Sequence, residues 1–340
     1  MLNRNNATHE ALRITLTITL CMLAGKWLDF SSPVYFALYP TIAMTKGRDF
    51  SCLGLYRMFM PTLVSASLAL VVSELFYQHP FIIWTISLVA FDQLRRRADT
   101  PQKLGAMLMP TFNWILIVVF SQQTTINIPE RIWEIMAAMG MTIVIVRVMA
   151  ALFPVTSGSK QPSLVVEPHP VSFRHRLVSL TLIGPGLAFL MTVDLLSATF
   201  CMVPVIAAAT QFSRNQYLNV VKHRVVTQLG GCAIAVVFAL LMAGHQNIAS
   251  FYAIDLGLLI FALARLISRS TGPLRDTHCD ALLATLLPIQ LYMSNTGFGL
   301  SGTFLRAWEL AVTLGILFAL HTITQPWLTR DKKNLLTTGT

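Results

Sequence analysis

The stretch RIWEIMAAMGMTIVIVRVMAALF, residues 131–153, decides the fold class of this 340-residue chain. As a helix it is long enough to cross the roughly 30 Å hydrocarbon core of a bilayer. The rest of the chain is similar: 54% of the residues are hydrophobic, 12% are charged and the mean hydropathy is +0.63. A soluble domain carries about 25% charged residues. The composition excludes a soluble globular protein and leaves no room for a soluble catalytic domain, so we expect an integral membrane protein that is not an enzyme and needs no cofactor.

Apolar runs of this kind form two sets of six, separated by the Pro-, Ser- and Gly-rich segment 154–172. The predicted fold is an all-α integral membrane protein with about twelve transmembrane helices in two six-helix repeats. The repeats are residues 1–154 and 174–340, joined by a cytoplasmic linker at 155–173. The runs are 12–28, 31–45, 58–77, 80–94, 104–121, 131–153, 177–193, 195–211, 225–244, 249–268, 280–297 and 304–326. Whether the short runs 31–45 and 195–211 cross fully or re-enter stays open.

The basic residues orient the chain, because loops rich in Lys and Arg stay cytoplasmic. All of the 25 Lys and Arg residues lie on one side of the predicted topology except Lys26, Arg131, Arg306 and Arg147. Both termini are therefore predicted to be cytoplasmic. Orientation also accounts for the net charge of +10, which leaves no reason to expect nucleic acid as a partner.

A matched motif indicates internal duplication. Arg131-Ile-Trp-Glu134 opens the sixth run and Arg306-Ala-Trp-Glu309 opens the twelfth, with Gly140 and Gly315 each six residues beyond. Because each set has an even number of runs, the two repeats are expected to be parallel, related by a pseudo-two-fold axis along the membrane normal, as in many transporters.

The second run of each set carries a central proline, Pro40 or Pro204. Proline cannot donate its backbone N–H and clashes with the preceding turn, so both helices should be kinked or broken within the membrane. Broken helices expose backbone dipoles that could bind a substrate. The alternative is a packed kink with no ligand.

Three arginines are candidates for the substrate path. Arg57 and Arg224 each open the third run of their set, where paired guanidinium groups could attract carboxylates at an inner vestibule. The alternative for both is an anchor on lipid phosphate. Arg147 lies about 9 Å from the cytoplasmic end of its run, so it either faces a cavity or extends to the interface.

Carboxylates are candidates for proton coupling. Asp255 lies deep in the tenth run and is the first candidate for a proton carrier. Glu134 and Glu309 share helix faces with Arg131 and Arg306, which predicts ion pairs at the outer surface. Structural anchors beside an aromatic belt are the preferred reading of these glutamates, and an outer gate or partner-docking surface is the alternative.

Other polar residues are assigned simpler roles. Asn113, Gln290 and Asn295 are expected to form hydrogen bonds between helices. The sequence Asp276-Thr-His-Cys-Asp280 superficially resembles a metal cluster, but adjacent residues rarely converge on one ion, so we expect a polar cytoplasmic loop and no metal. The chain has no phosphate-binding loop, which excludes ATP-driven transport by this chain alone.

The pattern resembles the fusaric acid resistance and aromatic acid exporter B type of bacterial inner-membrane proteins, in particular a compact branch known as a domain of unknown function. The resemblance covers residues 11–150 and 174–325. It depends on Ala11-Leu12-Arg13 opening a span, Pro40 in the short second span, Arg57 opening the third, and the repetition through Arg176, Pro204 and Arg224 with Gly230-Gly231.

This resemblance implies an efflux permease of the bacterial inner membrane that exports small, often aromatic, carboxylic acids or other toxic compounds. It also implies a periplasmic membrane fusion protein of the HlyD type as partner, beside the lipid bilayer and the organic anion. The chain departs from the larger exporters, which carry a sizeable cytoplasmic domain where this one has its short linker, so substrate and coupling could differ. We expect proton-driven export and allow for a homo-oligomer. The alternatives are a passive anion channel and a non-transporting membrane assembly protein.

Overall fold

The computed structural model describes residues 4–28, 30, 32–47, 49–123, 128–155, 171–193, 197–211, 213–245, 248–293 and 299–337. Most of the predicted linker therefore lies outside the described residues. The described part contains twelve α-helices, one 3₁₀ helix and no strand. The helices are α1 Arg4–Trp27, α2 Tyr35–Lys46, α3 Cys52–Leu75, α4 Pro80–Arg97, α5 Pro101–Gln123, α6 Ile128–Leu152, α7 Phe173–Thr192, the 3₁₀ helix Ser197–Cys201, α8 Met202–Ala209, α9 Arg214–Leu241, α10 Ala249–Arg269, α11 Gly272–Tyr292 and α12 Leu300–Thr337.

Each predicted apolar run contributes to one of these α-helices, which confirms the all-helical prediction. Seven of the described helices are long and apolar enough to cross a membrane: α3, α5, α6, α7, α9, α10 and α12. The chain is therefore a multi-pass membrane protein in contact with the lipid bilayer. Helices α2 and α8 are too short to meet that criterion, because they contain 12 and 8 residues.

The helices divide into inner and outer ones. Helix α5 is an inner helix, because 72% of its apolar segment is buried inside the bundle. Most residues of the short helices α2 and α8 are buried as well. The longer surrounding helices expose large apolar side chains, such as Leu75 of α3, Phe81 of α4 and Leu241 of α9. An apolar surface this large is expected where lipid replaces water.

Helix pairs that occupy equivalent places in the two sets of six also pack alike. Within the sets, α3 packs on α5 as α9 packs on α11, and α1 packs on α2 as α7 packs on α8. Between the sets, α1 packs on α10 while α4 packs on α7, and α2 packs on α11 while α5 packs on α8. The short inner helices thus contribute to the interface between α1–α6 and α7–α12.

Candidate functional site

Buried charges gather at both ends of the helix bundle. One group lies where α2 ends and where α9 and α11 begin, and we call this end the Lys46 end. The other lies where α6 and α12 begin, and we call it the Glu134 end. At the Lys46 end, carboxylates pair with cations of other helices, and at the Glu134 end Arg131 and Arg306 each lie over a phenylalanine ring.

Asp280 is the centre of the Lys46 end and is 9% exposed. Its Oδ1 lies 3.5 Å from Lys46 Nζ of α2, and its Oδ2 lies 3.5 Å from Arg224 Nη1 and 3.2 Å from His223 Nε2 of α9. Lys46 Nζ also lies 3.3 Å from Asp276 Oδ1. A buried carboxylate is tolerated only when cations and hydrogen-bond donors offset its loss of hydration. Asp280 therefore ties α2, α9 and α11 together.

The loop predicted for residues 276–280 is wrong, because these residues lie in the first turns of α11. Pro273 occupies the first turn, where a missing backbone N–H costs nothing, and the helix continues through the charged segment. Their helical placement turns Asp276 and Asp280, four residues apart, toward the same neighbour, Lys46. In the described part of the chain, no group of His, Cys, Asp and Glu residues could hold a metal ion.

Two further ion pairs join α1–α6 to α7–α12 at this end. Arg176 Nε of α7 donates a hydrogen bond to Asp92 Oδ1 of α4 at 2.7 Å, and its Nη2 pairs with the other carboxylate oxygen. Arg275 Nη2 of α11 lies 2.5 Å from Glu10 Oε1 of α1. Together with the pairs of Lys46, they tie the two sets of helices at the Lys46 end.

Arg57 and Arg147, two of the predicted path residues, have exposed side chains beside the loop between α2 and α3. Arg147 Nη1 donates a hydrogen bond to the Phe50 carbonyl oxygen at 3.3 Å. Hydrogen bonds from the backbone N–H and hydroxyl of Ser51 lower the pKa of Asp49, and Arg57 and Arg147 add to this effect. Arg224, the predicted counterpart of Arg57, is instead part of the Asp280 group.

At the Glu134 end, the first copy of the matched motif holds the start of α2. Glu134 is 2% exposed, and its Oε1 accepts a hydrogen bond from the Ser32 backbone N–H at 3.2 Å. Arg131 Nη1 lies 3.9 Å from Glu134 Oε2, and its guanidinium carbon lies 4.9 Å from the centre of the Phe120 ring. The hydroxyl of Tyr35 is buried close to both charges and has no hydrogen-bond partner among the described residues. A carboxylate beside the first residues of a helix is also favoured by the helix dipole.

The second copy of the motif holds the start of the 3₁₀ helix that leads into α8. Glu309 Oε1 accepts a hydrogen bond from the Ser197 hydroxyl at 2.6 Å. The Arg306 guanidinium carbon lies 5.3 Å from the centre of the Phe200 ring, beside the Tyr292 hydroxyl. Within the described residues, no ion pair joins Arg306 to Glu309, so the predicted pair is absent in this copy.

The tryptophans of both motifs face outward. Trp133 is 63% exposed and Trp308 is 68% exposed, as expected of an aromatic belt. Glu134 and Glu309 accept hydrogen bonds from Ser32 and Ser197, and their roles as anchors or as an outer gate stay predictions.

The prolines lie differently in the two short helices. Pro40 is buried in the middle of α2, which continues through it. Pro204 is the third residue of α8, directly after the change from 3₁₀ to α-helix at Cys201. Near Pro40, the Tyr39 hydroxyl donates a hydrogen bond to Asn113 Oδ1 of α5 at 3.1 Å.

The prediction of interhelical hydrogen bonds is confirmed for Asn113 and for Gln290, whose Nε2 donates to the Met22 carbonyl oxygen of α1 at 3.3 Å. Asn295 lies outside the described residues. Asp255 is half-buried in α10, and within the described residues it forms no ion pair or hydrogen bond.

Sequence reasoning missed Lys46, His223 and Asp280 as members of one site. From the sequence, Lys46 is expected only as a cytoplasmic basic residue, and Asp280 only as part of a polar loop. The sequence signal that could have indicated this site is the pair Asp276 and Asp280, two acids four residues apart at the start of an apolar run.

Residues 10–149 match the model of a family described as a protein of unknown function (DUF2955). The match covers α2–α5 and most of α1 and α6. No curated protein and no solved structure matches the chain.

Proposed function

We propose that this membrane protein is an efflux permease that exports small organic acids, aromatic carboxylates among them, or other toxic compounds, and that it has no enzymatic role. The observation that carries the proposal is the set of ion pairs formed by Lys46, Arg176 and Arg275. These pairs join α1–α6 to α7–α12 at one end of the bundle. Ion pairs between two otherwise apolar bodies can break and re-form, which is what a gate at the inner end requires.

Two parallel six-helix repeats are part of this proposal. The similar packing of equivalent helices and the similar contacts of Glu134 and Glu309 support a duplication. In such a transporter, the substrate passes between the repeats, along the short helices α2 and α8. Here that path follows Pro40 and Pro204.

The anion path begins at the cytoplasmic rim in this proposal. Arg57 and Arg147, both exposed, attract the carboxylate. Arg224 becomes available to it only when the pairs of Asp280 separate, so anion entry and opening of the inner gate are coupled.

Proton entry from the outside drives export, through Asp255 or through Glu134 and Glu309. Both termini are cytoplasmic, the membrane is the bacterial inner membrane, and a periplasmic membrane fusion protein of the HlyD type receives the substrate. Formation of a homo-oligomer belongs to the same proposal.

Accumulation of radiolabelled aromatic carboxylates in cells with and without the protein tests the function. We expect lower accumulation in expressing cells, abolished by an uncoupler, and loss of this gradient-dependent export in Asp255→Asn. Arg57→Ala and Arg224→Ala should each reduce export, whereas Arg269→Ala, a change in another basic residue at the same predicted side, serves as the control.

Two outcomes would contradict the proposal. Downhill flux that is insensitive to the uncoupler and unchanged in Asp255→Asn would identify a passive anion channel. No difference in accumulation for any compound, with the protein present in the membrane, would favour a non-transporting assembly protein.

A further inference from the structure

Arg306 is a buried cation that forms no ion pair with a carboxylate within the described residues. Its side chain is 1% exposed, and its Nε and Nη1 have no hydrogen-bond partner. The ring of Phe200 offsets part of the charge, because an aromatic face attracts a guanidinium. A buried cation without a paired carboxylate is nevertheless costly.

The sequence-matched arginine differs in this respect. Arg131 has the carboxylate of Glu134 3.9 Å away, whereas Glu309 forms no ion pair with Arg306 within the described residues. The two copies of the motif therefore hold one paired and one unpaired guanidinium.

Further groups around Arg306 could hold a ligand. The hydroxyl of Tyr292 is buried beside the guanidinium, and among the described residues its proton has no acceptor. Phe200, on the other side, packs against Phe112 with ring centres 5.6 Å apart. The site thus combines a two-pronged cationic donor, a hydroxyl donor and an aromatic surface.

We propose that Arg306 and Tyr292 bind the carboxylate group of a small organic acid, with the body of the acid against Phe200. A planar guanidinium binds a carboxylate through two parallel hydrogen bonds, and the Tyr292 hydroxyl donates a third. The acid supplies the anion that Arg306 lacks. The proposal rests on the proposed function, because it names the place at the Glu134 end where the exported acid is held.

Binding of radiolabelled benzoate to the purified full-length protein in lipid nanodiscs tests the site. We expect saturable binding that unlabelled benzamide, the uncharged analogue, does not displace. Arg306→Lys keeps the charge but loses the two-pronged geometry, and should weaken binding about tenfold or more. Tyr292→Phe removes one hydroxyl and should weaken binding about fivefold, even if Arg306→Lys fails to fold.

The matched controls are Arg131→Lys and Tyr35→Phe, which make the same chemical changes in the other copy of the motif and should leave benzoate affinity unchanged. The proposal is overturned if the wild-type protein does not bind benzoate saturably, if benzamide displaces it, or if Tyr292→Phe binds it as the wild type does.

Failure of the site and failure of the function are distinguishable. Gradient-dependent benzoate export that persists unchanged in Tyr292→Phe and Arg306→Lys would overturn the site while the function stands. Arg306-dependent binding in the absence of any export by cells would overturn the function while the site stands.

Discussion

Single residues show how this protein accommodates charge at the Glu134 end. Lys26 Nζ lies 4.1 Å from the centre of the Tyr252 ring, and Arg131 and Arg306 lie over phenylalanine rings. These are the three basic residues that the sequence assigns to the outer side. Each is held within the bundle against an aromatic face, where a cation interacts favourably at reduced hydration. Basic residues on that side are therefore part of the packing.

Asn113 gives a prediction at the same scale. Asn113→Leu keeps the volume but leaves the buried Tyr39 hydroxyl without its acceptor, which should lower the free energy of unfolding by about 1–3 kcal/mol. The measurement is the temperature at which the purified protein loses its monodisperse size-exclusion peak. Adding Tyr39→Phe removes the unpaired hydroxyl, so the double variant should regain part of the loss. If the double variant is no more stable than Asn113→Leu, the hydrogen bond does not contribute as argued.

Among the helices, α9 and α11 show how small residues set an interaxial distance. A Cβ atom added to Gly231 would lie 2.5 Å from the Ala284 Cβ and 2.8 Å from the Ala284 carbonyl carbon. The backbones of the two helices meet there, so no side chain can move aside to make room. Close approach of this kind is how helices pack in a membrane, where water does not drive association.

Gly231→Ala should therefore push α9 and α11 apart and lower the free energy of unfolding by about 1–3 kcal/mol. The adjacent Gly230→Ala is the matched control: nothing lies within 4 Å of an added Cβ, so it should be neutral or slightly stabilising. The same thermal assay compares the two. Equal thermal stability of both variants would contradict the close approach at Gly231.

The whole molecule is asymmetric between its ends. Ion pairs of Lys46, Arg176 and Arg275 connect α1–α6 with α7–α12 at the Lys46 end, whereas Glu134 and Glu309 each hold a helix of their own set at the other end. In this conformation, ion pairs therefore join the two sets of helices at the Lys46 end.

Charge reversal tests that connection. Asp92→Arg places two cations side by side where Arg176 now pairs with a carboxylate. We expect it to lower the free energy of unfolding, and the same thermal assay measures the loss. Adding Arg176→Asp should restore most of the stability by re-forming the pair with its charges exchanged. Failure of the double variant to recover would mean that the pair does not connect α4 and α7.

Much of the architecture could be predicted from the sequence. The helices follow from long apolar runs, because a chain in lipid must satisfy its backbone hydrogen bonds within each segment. The interhelical roles of Asn113 and Gln290 follow from the same cost of unpaired polar groups in an apolar surrounding. The exposed positions of Trp133 and Trp308 follow from the matched motif, while the duplication that it indicates stays a prediction.

Only the tertiary structure decided which charges meet. Lys46 and Asp276 are 230 residues apart in the chain, and nothing local to either one identifies the other. The same holds for the difference between the two motif copies, since with identical Arg-x-Trp-Glu spacing Arg131 lies beside a carboxylate whereas Arg306 forms no ion pair in the part of the chain that the structure describes. Local sequence sets helices because their hydrogen bonds are local, whereas ion pairs between helices depend on packing that involves the entire chain.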